Sequence, residues 1–515
     1  MKNGRFPDLT ALSRRKFVTL GAGALGVYGL GWPPSWPPFW PPVRPPTTPS
    51  ADSFPEPEVR SSASGFLNTT LRASTLPTIV QGQLVFTSVY EGTFPGPTLK
   101  VRPGDFLRVE LINDLSEATN LHVHGLHVSP LTPSDNVLLH IPPGERFVYE
   151  YTIPRDHPGG TYFYHPHHHG LATNQVFKGM AGVIIVEGDI DQIPGIAGLP
   201  ERTLVLQRTV ISNGIVPTIF PHNTFGIGKV LVNGAQTPTL FIRPGETQRW
   251  RLLNATVSSL WKIAVAAHPL TLIAQDGNTL AQATTGDSIL LATAQRRDVL
   301  IQGGQPGVYQ LTYQDLLPGP GQPQPLASLM VTGAPVDPQP LPTTLLPFDD
   351  LRTLPVDRER TITFDIIGDF AGTTFQEHGF VIDGKEFDEN RIDQFVNLGD
   401  TEEWTVKNPS FSPHPFHIHI NPYQVTKING QPFDALSYED TTIVPPNGGS
   451  ITFRTRFLDF TGTWVYHCHI LGHEDGGMMG IIQASCNDGP FLSSELGRFP
   501  TFNRGCPPFF IGVRR

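Results

Sequence analysis

The sequence predicts an all-β chain of three consecutive β-sandwich domains, on three observations. Charged residues are only 16% of the 515-residue chain, while 51 Gly and 52 Pro make up about a fifth of it. That balance belongs to a turn-rich β protein, since it stays below the roughly 25–30% Gly and Pro of low-complexity disorder. A strand-type segment recurs three times, a domain apart. The length itself holds about three domains at roughly 100–200 residues each. Only 3 Cys exclude a disulfide-stapled miniprotein, and a formal charge of −10 with no basic cluster past residue 16 excludes a nucleic-acid binder.

Residues 1–31 read as an export signal rather than as part of the fold. Ser13-Arg14-Arg15-Lys16-Phe17 is a twin-arginine motif, and the apolar run Val18–Leu30 that follows has 13 residues, too short to span a bilayer. The expectation is export by the twin-arginine route to the periplasm or beyond, with no transmembrane anchor. Removing this segment, with five Lys/Arg and one Asp, leaves a net charge of −14. Residues 32–60 follow as a linker, WPPSWPPFWPPVRPPTTPSADSFPEP from Trp32 to Pro57, which holds three of the seven Trp. Proline fixes φ and lacks an amide donor, so this reads as an extended spacer.

Next come the repeats. Arg102-Pro103-Gly104-Asp105 leads into FLRVELIN, Arg243-Pro244-Gly245-Glu246 into TQRWRLLN, and Leu398-Gly399-Asp400 into TEEWTVKN. Each Gly precedes an Asn by nine residues, at Asn113, Asn254 and Asn408, and those Asn are 141 and 154 residues apart. The intervening runs alternate like strands. Domains are expected at 64–190, 200–335 and 347–515, parted near Ile190–Pro200 and in the Pro-rich stretch Pro335–Pro347.

The chemistry lies in four short segments of the outer domains: His122-Val123-His124, His165-Pro166-His167, His414-Pro415-Phe416-His417-Ile418-His419, and His467-Cys468-His469 with His473 and Met478. In a strand, successive side chains point to opposite faces, so each His-x-His pair turns both imidazoles to one side. Four pairs supply eight imidazoles for one polynuclear metal centre between the first and third domains. Cys468 must then face away from His467 and His469. With His414, His473 and a weak thioether from Met478 it forms the two-His, one-Cys set of a blue-copper electron-transfer site. Its backbone joins the two centres.

These motifs, all present and in order, resemble the laccase-like, three-domain multicopper oxidases from about residue 64 onward. The resemblance implies cupredoxin-like Greek-key sandwiches and four copper ions per chain. It assigns the type 2 copper to His122 and His417. The two type 3 coppers fall to His124, His165 and His469, and to His167, His419 and His467. The type 1 copper takes His414, Cys468 and His473 with Met478 axial; spacing favours Met478 over Met479. Val123 and Pro166 stand where the family often has Trp and Ser, but between ligands. His168 and His169 extend the second motif unusually and read as supporting or structural residues. The resemblance also marks Glu474 and Asp135 as acids for the proton relay that dioxygen reduction needs. Where the outer repeats carry their histidine motifs, the middle repeat reads LWKIAVAAHPLTLIAQDG, with a lone His268 and no His-x-His, so the middle domain is expected to be a copper-free spacer. Cys486 and Cys506 are expected to pair, at roughly 3 kcal/mol in the chain-entropy model.

The expected function is four one-electron oxidations of a phenol or aromatic amine coupled to reduction of dioxygen to two waters. The expected partners are that small reducing substrate and dioxygen, with no nucleic acid; a monomer is slightly favoured. Met1, Met180, Met330, Met478 and Met479 are the only methionines, so the chain lacks the Met-rich segment frequent in cuprous oxidases. Cu(I), Mn(II) and bilirubin stay open as substrates. A non-enzymatic scaffold is disfavoured because all twelve ligands are kept, and a copper nitrite reductase because it needs no binuclear pair.

Overall fold

The structure, a computed structural model, describes residues 54–219, 226–317, 319–371 and 374–486. The expected export signal, most of the Pro/Trp-rich linker, and Cys506 with its pairing to Cys486 lie outside the described residues. Among the described residues no helix is long and apolar enough to cross a membrane.

Alternating burial builds the strands. Along Phe106–Asp114 the side chains of Leu107, Val109, Leu111 and Asn113 are buried and their neighbours are not, the period-two pattern of a pleated strand with one face on a core. Such strands assemble into three pairs of sheets. In the first pair, one sheet orders Gln83–Tyr90, Phe66–Val80, Phe106–Asp114 and Arg146–Thr152; the other orders Val59–Ser61, Thr98–Val101, Gly182–Val186, Gly160–His165 and His122–His124. The middle pair spans Glu201 to Val331, and the third spans Arg358 to Ser485. In all three the repeat strand runs parallel to a strand before it: Phe66–Val80 with Phe106–Asp114, Glu201–Thr209 with Thr247–Asn254, and Arg358–Ala371 with Thr401–Asn408. This all-β architecture is that of cupredoxin-like sandwiches.

Each pair closes on its own apolar core. Leu71, Leu107 and Tyr151 meet Val101, Tyr164 and Ile184 in the first; Trp250 and Val299 meet Trp261 and Leu329 in the second; Phe364, Trp404 and Phe453 meet Phe416, Trp464 and Ile482 in the third. Trp250, Trp261, Trp404 and Trp464 are fully buried, and truncating any of them to Ala costs about 3–5 kcal/mol.

The repeated Gly and Asn have local reasons. Gly104, Gly245 and Gly399 take φ of +88°, +80° and +97°, the left-handed region that a side chain disfavours. Asn113, Asn254 and Asn408 are fully buried at the strand ends. Each side-chain oxygen accepts the amide two residues on, from Leu115, Thr256 and Ser410, and each amide donates to a carbonyl on the far side, of Ile141, Leu291 and Val444. The repeat is therefore a strand start and a strand-end pin. Chain expected as linker joins the fold from Phe54: Phe54 packs on the middle core, and Val59–Ser61 pairs in parallel with Thr98–Val101.

Candidate metal centre

Strand register brings the histidines together. His122 lies opposite His165 on antiparallel strands, and His417 opposite His467. Alternation then turns Val123 into the first core and Cys468 into the third, while the flanking imidazoles share another space. Eight imidazoles crowd there, all at most 2% exposed. His122 stacks on His419 with centroids 3.9 Å apart, and His124 on His417 at 3.8 Å. Ligating atoms fall within 4.8 Å of one another in the sets His124–His165–His469 and His167–His419–His467; His122 and His417 form such a set together with His124.

A separate set joins His414, Cys468 and His473. Cys468 Sγ is 3.4 Å from His414 Nδ1 and 3.7 Å from His473 Nδ1, and those two nitrogens are 3.2 Å apart. Ser410, which the Asn408 pin holds, lies with its hydroxyl 2.8 Å from His414 Nε2. His473 sits on the one-turn helix Leu471–Asp475, with its ring stacked on Phe380 at 4.4 Å. Met478 is buried in the same core as Cys468, and its carbonyl accepts the Cys468 amide at 3.1 Å. Met479, one step along, packs instead with Val137, Val465 and Ile481.

The electrostatics suit a cation. Burial, and then the neighbouring rings, hold the imidazoles well below the ordinary histidine value; His165 and His167 fall to about 3. The rings are neutral and offer lone pairs. His122 Nε2, His124 Nδ1, His165 Nε2, His417 Nε2, His419 Nδ1 and both nitrogens of His469 are buried without a protein partner. Unmatched buried polar atoms are costly, and a shared metal resolves them. Burial also pushes the Cys468 thiol up, so a thiolate there needs a bound cation beside it.

The two expected acids lie against this cluster. Asp135 Oδ2 is 2.9 Å from His122 Nδ1, and its other oxygen accepts the Val123 amide at 3.0 Å. Glu474 Oε2 is 3.0 Å from His467 Nδ1, and Oε1 is 3.6 Å from His167 Nδ1. Burial raises both carboxyls to about 7. His168 is half-buried and His169 exposed, and neither joins the eight rings. His268 is satisfied locally: Nδ1 faces the Ala266 carbonyl at 2.8 Å, and Nε2 accepts the Gly304 amide at 3.1 Å.

Sequence reasoning missed Asp440 and Arg296. Asp440 Oδ1 lies 3.2 Å from His124 Nε2, and its carbonyl accepts from His417 Nδ1 at 2.7 Å. Arg296, from the middle sandwich, pairs with that carboxylate through both arms. The middle sandwich thus reaches the cluster, although among the described residues it contributes no histidine to it. No His or Cys spacing signals either residue.

Three family models described as multicopper oxidase match residues 76–190, 207–334 and 356–486. The chain belongs to the multicopper oxidase family. It is a copper-dependent oxidoreductase, working with a small-molecule reductant and dioxygen. A multicopper oxidase mco of Staphylococcus haemolyticus is 29% identical over 449 residues, covering 84% of this chain and 92% of its own. Cell division protein FtsP of Dickeya dadantii is 26% identical over 418 residues, covering 78% and 85%. The solved multicopper oxidase from Campylobacter jejuni, described as a metallo-oxidase, superposes with a TM-score of 0.71 at 28% identity, covering 84% of this chain and 96% of its own.

Proposed function

We propose that this chain is an exported, laccase-like oxidase that holds four coppers and couples four one-electron oxidations of a phenol or aromatic amine to reduction of dioxygen to two waters. The observation that carries it is the convergence of eight buried imidazoles on one side of His467-Cys468-His469 and of His414, His473 and Cys468 on the other. Type 1 copper would be held by His414, Cys468, His473 and Met478, and type 2 by His122 and His417. The type 3 pair would be held by His124, His165 and His469, and by His167, His419 and His467. Copper at the first set supplies a one-electron relay, and copper at the eight histidines supplies dioxygen binding and reduction.

The residues have distinct tasks in this reading. Cys468 carries the covalent route between the sets, because its neighbours in sequence belong to the other one. Asp135 holds the Nδ1 proton of His122, which leaves Nε2 as the donor atom. Glu474 keeps a proton close to His467 and His167 at a pKa of about 7, suited to transfer near neutrality. His414 and His473 are 0% and 2% exposed, so electrons arrive through covering side chains such as Phe380 rather than by direct ligation of substrate. That tolerates phenols and amines of varied shape.

A second reading, oxidation of Cu(I) or Mn(II), is favoured by a groove of about 880 Å³ where Glu386, Asp388 and Glu389 outnumber Lys385 and Arg391, and which Val381, next to Phe380, also lines. Oxygen uptake by copper-loaded protein decides between the two. The expected result is turnover with phenols and aromatic amines; turnover with Cu(I) or Mn(II) alone overturns the first reading in favour of the second. Export is tested by replacing Arg14 and Arg15 with Lys, which is expected to retain the protein in the cytoplasm.

A further inference from the structure

Three imidazoles near the cluster are used by none of these roles. His140 Nδ1 lies 2.7 Å from His168 Nε2, with the rings inclined at 61°, and His169 follows at the surface. In the ligand sets, ring nitrogens approach in the same way: 3.1 Å for His167 and His467, 3.2 Å for His419 and His467, and 3.2 Å for His414 and His473. At the metal–nitrogen distance of about 2.0–2.1 Å, two nitrogens 2.7 Å apart subtend roughly 80–85° at a shared ion. That is the angle between neighbouring ligands of a tetragonal copper(II) ion.

The surroundings add a destination. His140, His168, His169 and Glu389 line a cavity of about 130 Å³ whose other walls include Val137, Val465 and Met479, and which is also lined by His167. The cavity runs from exposed His140 to buried His167. His168, His169 and Glu389 also border the larger groove outside. Glu389 and Glu117 are both close enough to act on His168, and Asp475 and Glu389 on His169.

We propose that His140 and His168 form an additional binding site for copper(II), separate from the twelve ligands and placed at the mouth of the cavity that reaches His167 and that Glu389 also lines. It gives an incoming ion a holding place one residue from the cluster. Nitrogen donors from two separate loops make it a chelate rather than a lone surface histidine.

The test starts from protein already loaded with copper and desalted. Copper(II) is then titrated in, and uptake is followed by equilibrium dialysis and by the growth of a tetragonal copper(II) EPR signal. Wild type is expected to take up one further equivalent. His140→Ala is expected to weaken that uptake at least tenfold while leaving the resident copper content and the visible absorption unchanged. His168→Ala should match it, and guards against an effect confined to one loop. Equal additional uptake by wild type and His140→Ala, or none by wild type, overturns the site. Because the reading is the difference between wild type and variant, it stands apart from how many coppers the twelve ligands hold.

Discussion

Arg296 and Asp440 form a two-armed ion pair between the middle and third sandwiches, Nη1 to Oδ1 at 2.9 Å and Nη2 to Oδ2 at 2.5 Å, with neither residue appreciably exposed. The pair fixes the carboxylate that touches His124 and the backbone that receives His417. Removing one partner of a buried pair leaves the other unmatched, at about 3–5 kcal/mol. Arg296→Met is therefore expected to lose about that much in denaturant unfolding and to alter the type 2 copper EPR signal. Arg296→Lys keeps the charge but cannot fork, so it should fall between. Wild-type stability in Arg296→Met would show that the pair carries no structural weight.

Asp135 offers a subtler test, because it sets a tautomer rather than a fold. Its carboxylate faces His122 Nδ1 and so directs the free Nε2 toward the cluster. Partners of this kind typically cost 10–100-fold in metal affinity when replaced. Asp135→Asn is expected to give up copper to a chelator about that much more readily than wild type, with the Cys468 absorption retained. Copper loss at the wild-type rate would remove Asp135 from this role.

Glu474 should separate electron transfer from proton supply. Its carboxylate oxygens lie 3.0 Å from His467 and 3.6 Å from His167, while it meets the Cys468 set through the peptide bond to His473. Glu474→Gln keeps the shape and removes the proton. Steady-state oxygen uptake is expected to fall about 100-fold, at the low end of general-acid contributions, while anaerobic reduction of the Cys468 copper keeps its wild-type rate. If both rates fall together, the residue is structural.

Cys468→Ser tests the junction itself. Serine lacks the soft thiolate donor, so the intense visible absorption is expected to vanish along with turnover, although the eight-histidine copper content persists. Retained colour would place the chromophore elsewhere.

What the sequence made legible, and what it hid, follows from the range of each interaction. His122-Val123-His124 and His467-Cys468-His469 could be read because strand alternation is local: neighbours two apart share a face whatever the rest of the chain does. Asn113, Asn254 and Asn408 were visible as a repeat, and only the structure gives their reason, the buried amide that ties each strand end to a carbonyl far along the chain. Arg296 and Asp440 lie 144 residues apart, and an ion pair between domains leaves no spacing to recognise. His140 and His168, 28 residues apart on two loops of the first sandwich, likewise meet only in the fold. The middle sandwich, expected as a copper-free spacer, also sends Arg296 to the cluster.

His127 and Asp459 give the chain a pH-dependent clamp between its first and third sandwiches. His127 Nε2 is 3.0 Å from Asp459 Oδ1, and its Nδ1 faces the Ile420 carbonyl at 2.8 Å, so one ring ties the first sandwich to two loops of the third. Burial alone would lower the His127 pKa, but the hydrogen bond and charge of Asp459, with help from the Ile420 carbonyl and Asp156, outweigh it and raise the value. A raised value means that the folded chain binds the proton more tightly than the unfolded one. The clamp's contribution is therefore complete below the ordinary histidine value of about 6.5 and disappears as pH climbs through the folded value. In Asp459→Asn the charged partner is gone. Thermal unfolding of both proteins between about pH 5 and 9 is expected to show the variant melting below wild type at the acid end, with the gap closing toward the alkaline end as His127 loses its proton. A gap that stays constant, or widens as pH rises, would mean that the ring is neutral throughout and the contact is only a packing one.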